Sequence, residues 1–260
     1  MLLESSLIDV HSHVLWGLDD GARTMEDSLA MLRMAAAHGT TALVATPHAN
    51  PAYRFEPGLV RDRLEELRTR IEGALTLYSG CDFHLSYENI QDALKYPTKY
   101  TINQKSYLLV EFSDLLIFRN TPEIFGRLAE AGMTPVITHP ERNGLLRQRA
   151  DEIASWVELG ATVQVTAQSL AGDFGRRAQE FSETLLDRGM VHFVASDAHD
   201  CERRPPVLDD AYEWLRQRYG PMRAEALCLR NPQAAIAGEP LEPCPDEIVR
   251  APRKWYQIWH

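Results

Sequence analysis

Leu7-Ile8-Asp9-Val10-His11-Ser12-His13 reads as a short buried strand that runs out into two histidines separated by one residue. In an extended strand the side chains at i and i+2 point to the same face, so both imidazoles converge on one spot. An isolated H-x-H is more often a pair of surface histidines after a buried strand. Repetition argues otherwise here, because later strand-like runs also stop at a histidine or a carboxylate.

Seven runs are short, apolar and rich in valine, isoleucine or aromatics, at about 7–11, 42–46, 75–79, 107–112, 134–138, 161–166 and 191–195. Helical patterns lie between most of them. The first spans about Met25 to His38, opened by Thr24 with Asp27 as a capping-box pair and closed by Gly39. A charged helix at about 58–72 carries Leu59, Val60, Leu64, Leu67 and Ile71 as an apolar stripe. Thr121-Pro122-Glu123 opens another as cap and first-turn proline, and further helices end at Gly132, Gly160, Gly189 and Gly220.

After Gly39, Gly132, Gly160 and Gly189 the next strand begins within a few residues. Helix, glycine, strand is the punctuation of a repeated α/β unit with a parallel sheet, and seven such strands in so compact a chain suggest a barrel more than an open sheet. Barrels of this kind gather their active sites at the carboxyl ends of the strands. There the first run delivers His11 and His13, the second His48, the third Asp82, the fourth Glu111, the fifth His139 and the last Asp197 and His199. Imidazole and carboxylate without thiolate suit manganese, iron or zinc, and eight donors exceed what one ion needs.

The chain has 260 residues, 45% of them hydrophobic and 25% charged, enough for one substantial core. We expect one domain over 1–237 and a proline-rich tail over 238–260, with Trp255, Tyr256 and Trp259 packed on the domain or on a partner. No basic leader or long uncharged apolar run is visible, so a cytoplasmic location is expected, without a transmembrane segment. Cys81, Cys201, Cys228 and Cys244 are scattered, which suggests neither a disulfide framework nor a thiolate metal site. A net charge of −10 disfavours nucleic acid as a partner, so any phosphate site must be built from specific cations.

The set Asp9-Val-His-Ser-His13, Ala45-Thr-Pro-His48, Val110-Glu-Phe112, His139-Pro-Glu-Arg142 and Ser196-Asp-Ala-His199 resembles the PHP family, named for polymerase and histidinol phosphatase. Trp16-Gly-Leu-Asp-Asp-Gly-Ala22 and Gln164-Val-Thr-Ala-Gln-Ser-Leu-Ala-Gly-Asp-Phe-Gly175 narrow the likeness to the metal-dependent protein-tyrosine phosphatases of bacterial capsule and exopolysaccharide operons. The resemblance implies a distorted seven-stranded (β/α)7 barrel holding three divalent ions, manganese first, with iron, zinc or magnesium as alternatives. Carried over by position, His11, His13, Glu111 and Asp197 hold one ion, Glu111 bridges to a second that takes His139, and His48, Asp82 and His199 serve the remaining one or bridge to it. The pattern usually has glutamate where Asp82 stands, a reach longer by about 1.5 Å, and a histidine where Ala49 stands.

Arg142, three residues beyond His139, has the fork of donors that suits a phosphate, and Arg204 occupies the position of a second arginine in the similar phosphatases. Asp19 and Asp20 reach the metal rim, or form a turn or support the metal ligands, the turn or support being favoured; Tyr53 stacks on a substrate ring or anchors its loop, and His38, His84, His192 and His260 are structural. The leading reading is hydrolysis of phosphotyrosine on a protein, with a bacterial tyrosine kinase tail as the implied partner and a homo-oligomer left open. The alternatives are a small-molecule phosphatase of the histidinol-phosphate type and a non-catalytic, metal-bound module that docks the kinase.

Overall fold

The computed structural model describes residues 6–71 and 73–242, so Trp255, Tyr256, Trp259 and most of the expected tail lie outside the described residues. Nine strands occur among them: β1 (Leu7–Ser12), β2 (Thr40–Ala45), β3 (His48–Ala49), β4 (Thr76–Ser79), β5 (Asp82–His84), β6 (Tyr107–Glu111), β7 (Thr134–Thr138), β8 (Thr162–Thr166) and β9 (Phe193–Ala195). They form two parallel sheets, ordered β1-β2-β4 and β3-β5-β6-β7-β8-β9. Each of the seven expected runs is present, but the second and third are each cut in two near their carboxyl ends.

The cuts fall at Thr46-Pro47 and Gly80-Cys81. Proline has no N–H to donate to a ladder, and the chain steps sideways instead. Gly80 N donates to Ala45 O at 2.8 Å and Asp82 N to Pro47 O at 3.2 Å. A Cβ at Gly80 would lie 2.9 Å from Val44 Cγ1, which leaves room only for glycine at this step. At the other margin β1 and β9 meet through a Ser12–Ala198 bridge, with Asp197 N on His11 O and His13 N on Ala198 O, both 2.8 Å.

The helices are α1 (Met25–Ala37), α2 (Pro57–Arg70), α3 (Tyr87–Lys95), α4 (Thr121–Glu130), α5 (Ala150–Glu158), α6 (Ala167–Ala171), α7 (Arg176–Asp187), α8 (Asp209–Tyr219), α9 (Pro221–Glu225) and α10 (Asn231–Ala237). The capping box of α1 forms as expected: Asp27 N donates to Thr24 Oγ1 and Thr24 N to Asp27 Oδ2. Thr121 does not cap α4, because its hydroxyl donates to Phe118 O instead. On α2, Val60, Leu64, Leu67 and Ile71 face the core, whereas Leu59 is 45% exposed. None of the described helices is long and apolar enough to cross a membrane.

β6 shows how both faces of a strand are used. Leu108 and Val110 pack in the larger core against the helices, while Tyr107 and Leu109 join a smaller cluster with Val10, Val44, Val136 and Phe193. Burial on both faces explains why these strands read as unbroken apolar runs. Ala235 and Ile236 of α10 and Ile102 complete the smaller cluster at the strands' amino ends. There Tyr107 Oη donates to Glu239 O at 2.8 Å and Asn231 Nδ2 to His192 O at 2.8 Å.

His192 is structural, as expected, and carries a pH dependence. Burial holds its imidazole down at about 4, with the Arg223 charge adding to the effect. Its unprotonated Nδ1 accepts from Val163 N at 3.2 Å, which the charged ring cannot do. A base whose pKa is depressed on folding binds fewer protons than the unfolded chain, so stability is full above about 6.5 and is lost as pH falls towards 4. We expect His192→Gln to remove at most ~3 kcal/mol of the stability difference between pH 7 and pH 4.5. Urea unfolding at the two pH values measures it, and an unchanged difference would refute the assignment.

Candidate metal centre

All eight expected donors come together at the carboxyl ends of the strands. β1 carries His11 and His13 onto one side, their Nε2 atoms 3.3 Å apart. Asp197 Oδ1 lies 3.3 Å from His11 Nε2 and 3.2 Å from His13 Nε2, and His139 Nε2 lies 3.9 Å from Asp197 Oδ2. Asp82 Oδ2 stands 3.1 Å from His48 Nδ1 and 3.6 Å from His11 Nε2. Glu111 Oε2 lies 3.8 Å from His48 Nδ1, and the His199 ring is 4.0 Å from that of His13 between centroids. His139 and Asp197 take positive φ angles of 33° and 50°, a backbone cost that clusters at functional sites.

The donors fall into four overlapping sets: His11, His13 and Asp82; His11, His139 and Asp197; His48, Asp82 and Glu111; and His13, Asp20, His48 and His199. In these sets Glu111 stands with His48 and Asp82, and Asp82 also with His11 and His13. The cause is depth. Asp82 is fully buried in β5, opposite His48 in the parallel register, and so reaches both histidine groups despite its shorter side chain. Glu111, at the outer end of β6, keeps its side chain 24% exposed.

A further layer orients the imidazoles. Gln164 Oε1 sits 3.0 Å from His11 Nδ1, Asp19 Oδ2 2.7 Å from His13 Nδ1, and the Asp197 carbonyl 3.0 Å from His199 Nδ1. Partners of this kind select the tautomer and leave Nε2 free to act. Asp19 therefore does both things weighed from the sequence, because it also accepts from Gly21 N at 3.0 Å and His48 N at 3.1 Å. Asp20, half exposed at the mouth, lies 3.4 Å from His48 Nε2 and 3.5 Å from His199 Nε2. It stands with His13, His48 and His199, the metal-rim alternative that the sequence offered beside the favoured turn. Gln164 was missed, although a polar residue inside the buried Thr162–Thr166 strand marks it.

Electrostatically the cluster is short of cations. Burial opposes a charge on His13, yet Asp19 outweighs it and pushes the imidazole up to about 9. His48 likewise rises to about 11, burial being overcome by Asp20 and Asp82. His139 is held down at about 3 by burial and the Arg142 charge. Among the described residues, Asp82 Oδ1 is buried without a hydrogen-bond partner, and Asp82 Oδ2 faces only the imidazole nitrogens of His48 and His11, 3.1 and 3.6 Å away. A carboxylate left so is costly unless a cation sits against it, and nitrogen and oxygen donors at this spacing fit divalent metal ions. Burial raises the Cys81 thiol well above its usual value, consistent with a packed residue rather than a ligand.

Arg142 Nη1 and Arg204 Nη2 both donate to Asp197 Oδ2, so the two arginines converge at the edge of the donor cluster. The Arg142 guanidinium also lies 4.2 Å from the centre of the Phe174 ring. Tyr53 is stacked on His48, with ring centroids 6.0 Å apart and an interplanar angle of 13°. His84 Nδ1 stands 3.6 Å from Glu111 Oε2, and His38 pairs with Asp209 at 2.7 Å on the surface.

A family model described as capsular polysaccharide synthesis, CpsB/CapC, matches residues 7–237. The tyrosine-protein phosphatase YwqE of Bacillus subtilis is 36% identical over 218 residues, covering 82% of this chain and 85% of the relative. The tyrosine-protein phosphatase CpsB of Streptococcus agalactiae is 28% identical over 243 residues, covering 88% and 98%. A crystal structure from work on YwqE of Bacillus subtilis and CpsB of Streptococcus pneumoniae, described as unique metal-dependent tyrosine phosphatases, superimposes with a TM-score of 0.85 at 32% identity, covering 91% of this chain and 96% of that one. With the family model spanning almost all of the described residues, this chain belongs to the CpsB/CapC family of capsular polysaccharide synthesis.

Proposed function

We propose that the protein is a metal-dependent protein-tyrosine phosphatase that hydrolyses phosphotyrosine on a protein, a bacterial tyrosine kinase of capsule or exopolysaccharide synthesis being the implied partner. The observation that carries this reading is the convergence of eight imidazole and carboxylate donors beside two arginines, with the Asp82 carboxylate fully buried among the histidines. His11, His13, His48, Asp82, Glu111, His139, Asp197 and His199 are the ligands in this reading. Asp20 joins them at the mouth. Four overlapping donor sets accommodate three ions, and the mixed nitrogen and oxygen chemistry suits manganese. The two parallel sheets are read as one distorted seven-stranded barrel, with β2 and β3, and β4 and β5, each counted as one interrupted strand; the Ser12–Ala198 bridge supports that reading. The catalytic unit is the single domain over 1–237, working in the cytoplasm.

When bound, divalent ions at these donors supply an acidified water and positive charge against the phosphate oxygens. Arg142 and Arg204 bind and orient the phosphoryl group with forked donors, giving up Asp197 Oδ2 to do so. Gln164 and Asp19 keep His11 and His13 in the tautomers that present Nε2. Tyr53, flat against His48, walls one side of the mouth, where a phenyl ring can lie. A phenolate leaving group, with a pKa of ~10, needs far less acid assistance than an alkoxide.

The test is an assay of metal-stripped protein on phosphotyrosine peptide, phosphoserine peptide and histidinol phosphate, with manganese, iron, zinc or magnesium added back in turn. Manganese-restored turnover confined to the phosphotyrosine peptide is expected. Preference for histidinol phosphate, or inactivity on all three substrates with every metal, would overturn the reading.

A further inference from the structure

Among the described residues, β8 is the run whose carboxyl end delivers no donor to the metal cluster. The chain passes from it directly into α6, a buried turn and a half whose polar side chains reach sideways to the two arginine segments. Gln168 Nε2 donates to Pro205 O at 2.7 Å, immediately after Arg204. The Arg204 carbonyl itself accepts from His199 N at 2.9 Å. Ser169 Oγ, at 2.7 Å, and Thr166 N, at 2.9 Å, both donate to Glu141 Oε1, on the residue before Arg142. At the other end of the turn Gly172 N and Asp173 N donate to the Gln168 carbonyl, and this presents Phe174 to the Arg142 guanidinium at 4.2 Å.

We propose that α6 and the turn after it form a bracket that seats the two phosphate-facing arginines, with Gln168 acting through Arg204 and Phe174 through Arg142. The inference rests on the reading that those arginines bind the phosphoryl group. Both Gln168 and Phe174 are positioning residues, placed against the arginine segments and outside the four donor sets. Gln168 is 5% exposed and ties α6 to the Pro205 carbonyl, which also accepts from Val207 N at 2.9 Å, while Phe174 supplies an aromatic face that a guanidinium occupies in place of water. The bracket explains why a fully buried carboxylate, Glu141, stands next to Arg142 without joining the donor cluster: it is the anchor by which α6 holds that loop.

The test is a pair of double-mutant cycles on metal-loaded protein, read as the inhibition constant of inorganic phosphate against a phosphotyrosine peptide, with bound metal and thermal midpoint measured alongside. Gln168→Met keeps the side-chain volume and removes the donor; it is expected to raise the phosphate constant about tenfold, and Phe174→Ala about fivefold, at unchanged metal content. In Arg204→Ala the Gln168 substitution is expected to add nothing, and in Arg142→Ala the Phe174 substitution is expected to add nothing, because each acts through the residue already removed. Full additivity, or single variants that bind phosphate as the parent does, overturns the bracket while leaving the arginines in place. Arginine variants with unchanged phosphate affinity overturn the functional reading instead, and the bracket with it. Should Gln168→Met unfold or lose metal, the half-buried Phe174 carries the decision through its own cycle.

Discussion

Asp82→Ala is expected to lower turnover of a phosphotyrosine peptide by ~10³-fold or more and to abolish most of the thermal stabilisation that added metal confers. The carboxylate is fully buried, reaches His48 at 3.1 Å and His11 at 3.6 Å, and appears in two of the four donor sets. Removing it therefore takes a ligand from two places at once. Its neighbours do not replace it, since Glu111 sits farther out and Cys81 keeps its proton. The metal-free variant should remain folded, because the lost group is itself a fully buried charge. Metal analysis and thermal melts with and without manganese measure the effect. Parent-like metal content together with parent-like turnover would remove Asp82 from the site.

Gly21→Ala is the second large effect, and it acts through packing rather than chemistry. An added Cβ would lie 2.1 Å from the His13 carbonyl oxygen and 2.5 Å from His13 Cβ, atoms that belong to a buried strand end and cannot move aside. The close approach exists because Ala22 N donates to His13 O at 3.0 Å and Gly21 N to Asp19 Oδ1 at 3.0 Å, folding the loop back over the ligand it supports. Overpacking at such a point costs ~3 kcal/mol or more, equivalent to a drop of about 6–12 °C in a chain of this size. It also displaces Asp19 from His13, so activity should fall at least ~100-fold. Gly58→Ala is the control: no atom lies within 4 Å of its added Cβ and it stands in the first turn of α2, so its melting point should hold or rise. Equal midpoints for the two variants would show that the Gly21 contact relaxes freely.

Much of the centre was legible because it is written in short-range pattern. His11 and His13 share a face through the two-residue period of a strand, and the capping box of α1 lies within four residues of chain. Strand ends could be located from the apolar runs, and with them His48, Asp82, Glu111, His139, Asp197 and His199. The helix, glycine, strand punctuation marked the parallel α/β order, and Gly39, Gly132, Gly160 and Gly189 do take positive φ angles at the helix ends. The cuts in the second and third strands were not legible. Pro47 and Gly80 are visible in the sequence, but whether a chain breaks or bends at such residues depends on the neighbouring strand.

By itself, then, the sequence determined the parallel α/β order and set eight candidate donors at the strand ends, because each is fixed by local periodicity and element boundaries. Only the tertiary structure decided that Asp82 and not Glu111 lies between the histidines of β1 and β3, and that Asp19, Asp20 and Gln164 reach the same cluster. Those relations join residues as far apart as His11 and Gln164, separated by 153 positions. They depend on strand register, side-chain reach and depth of burial across the sheets, quantities that no period along the chain encodes.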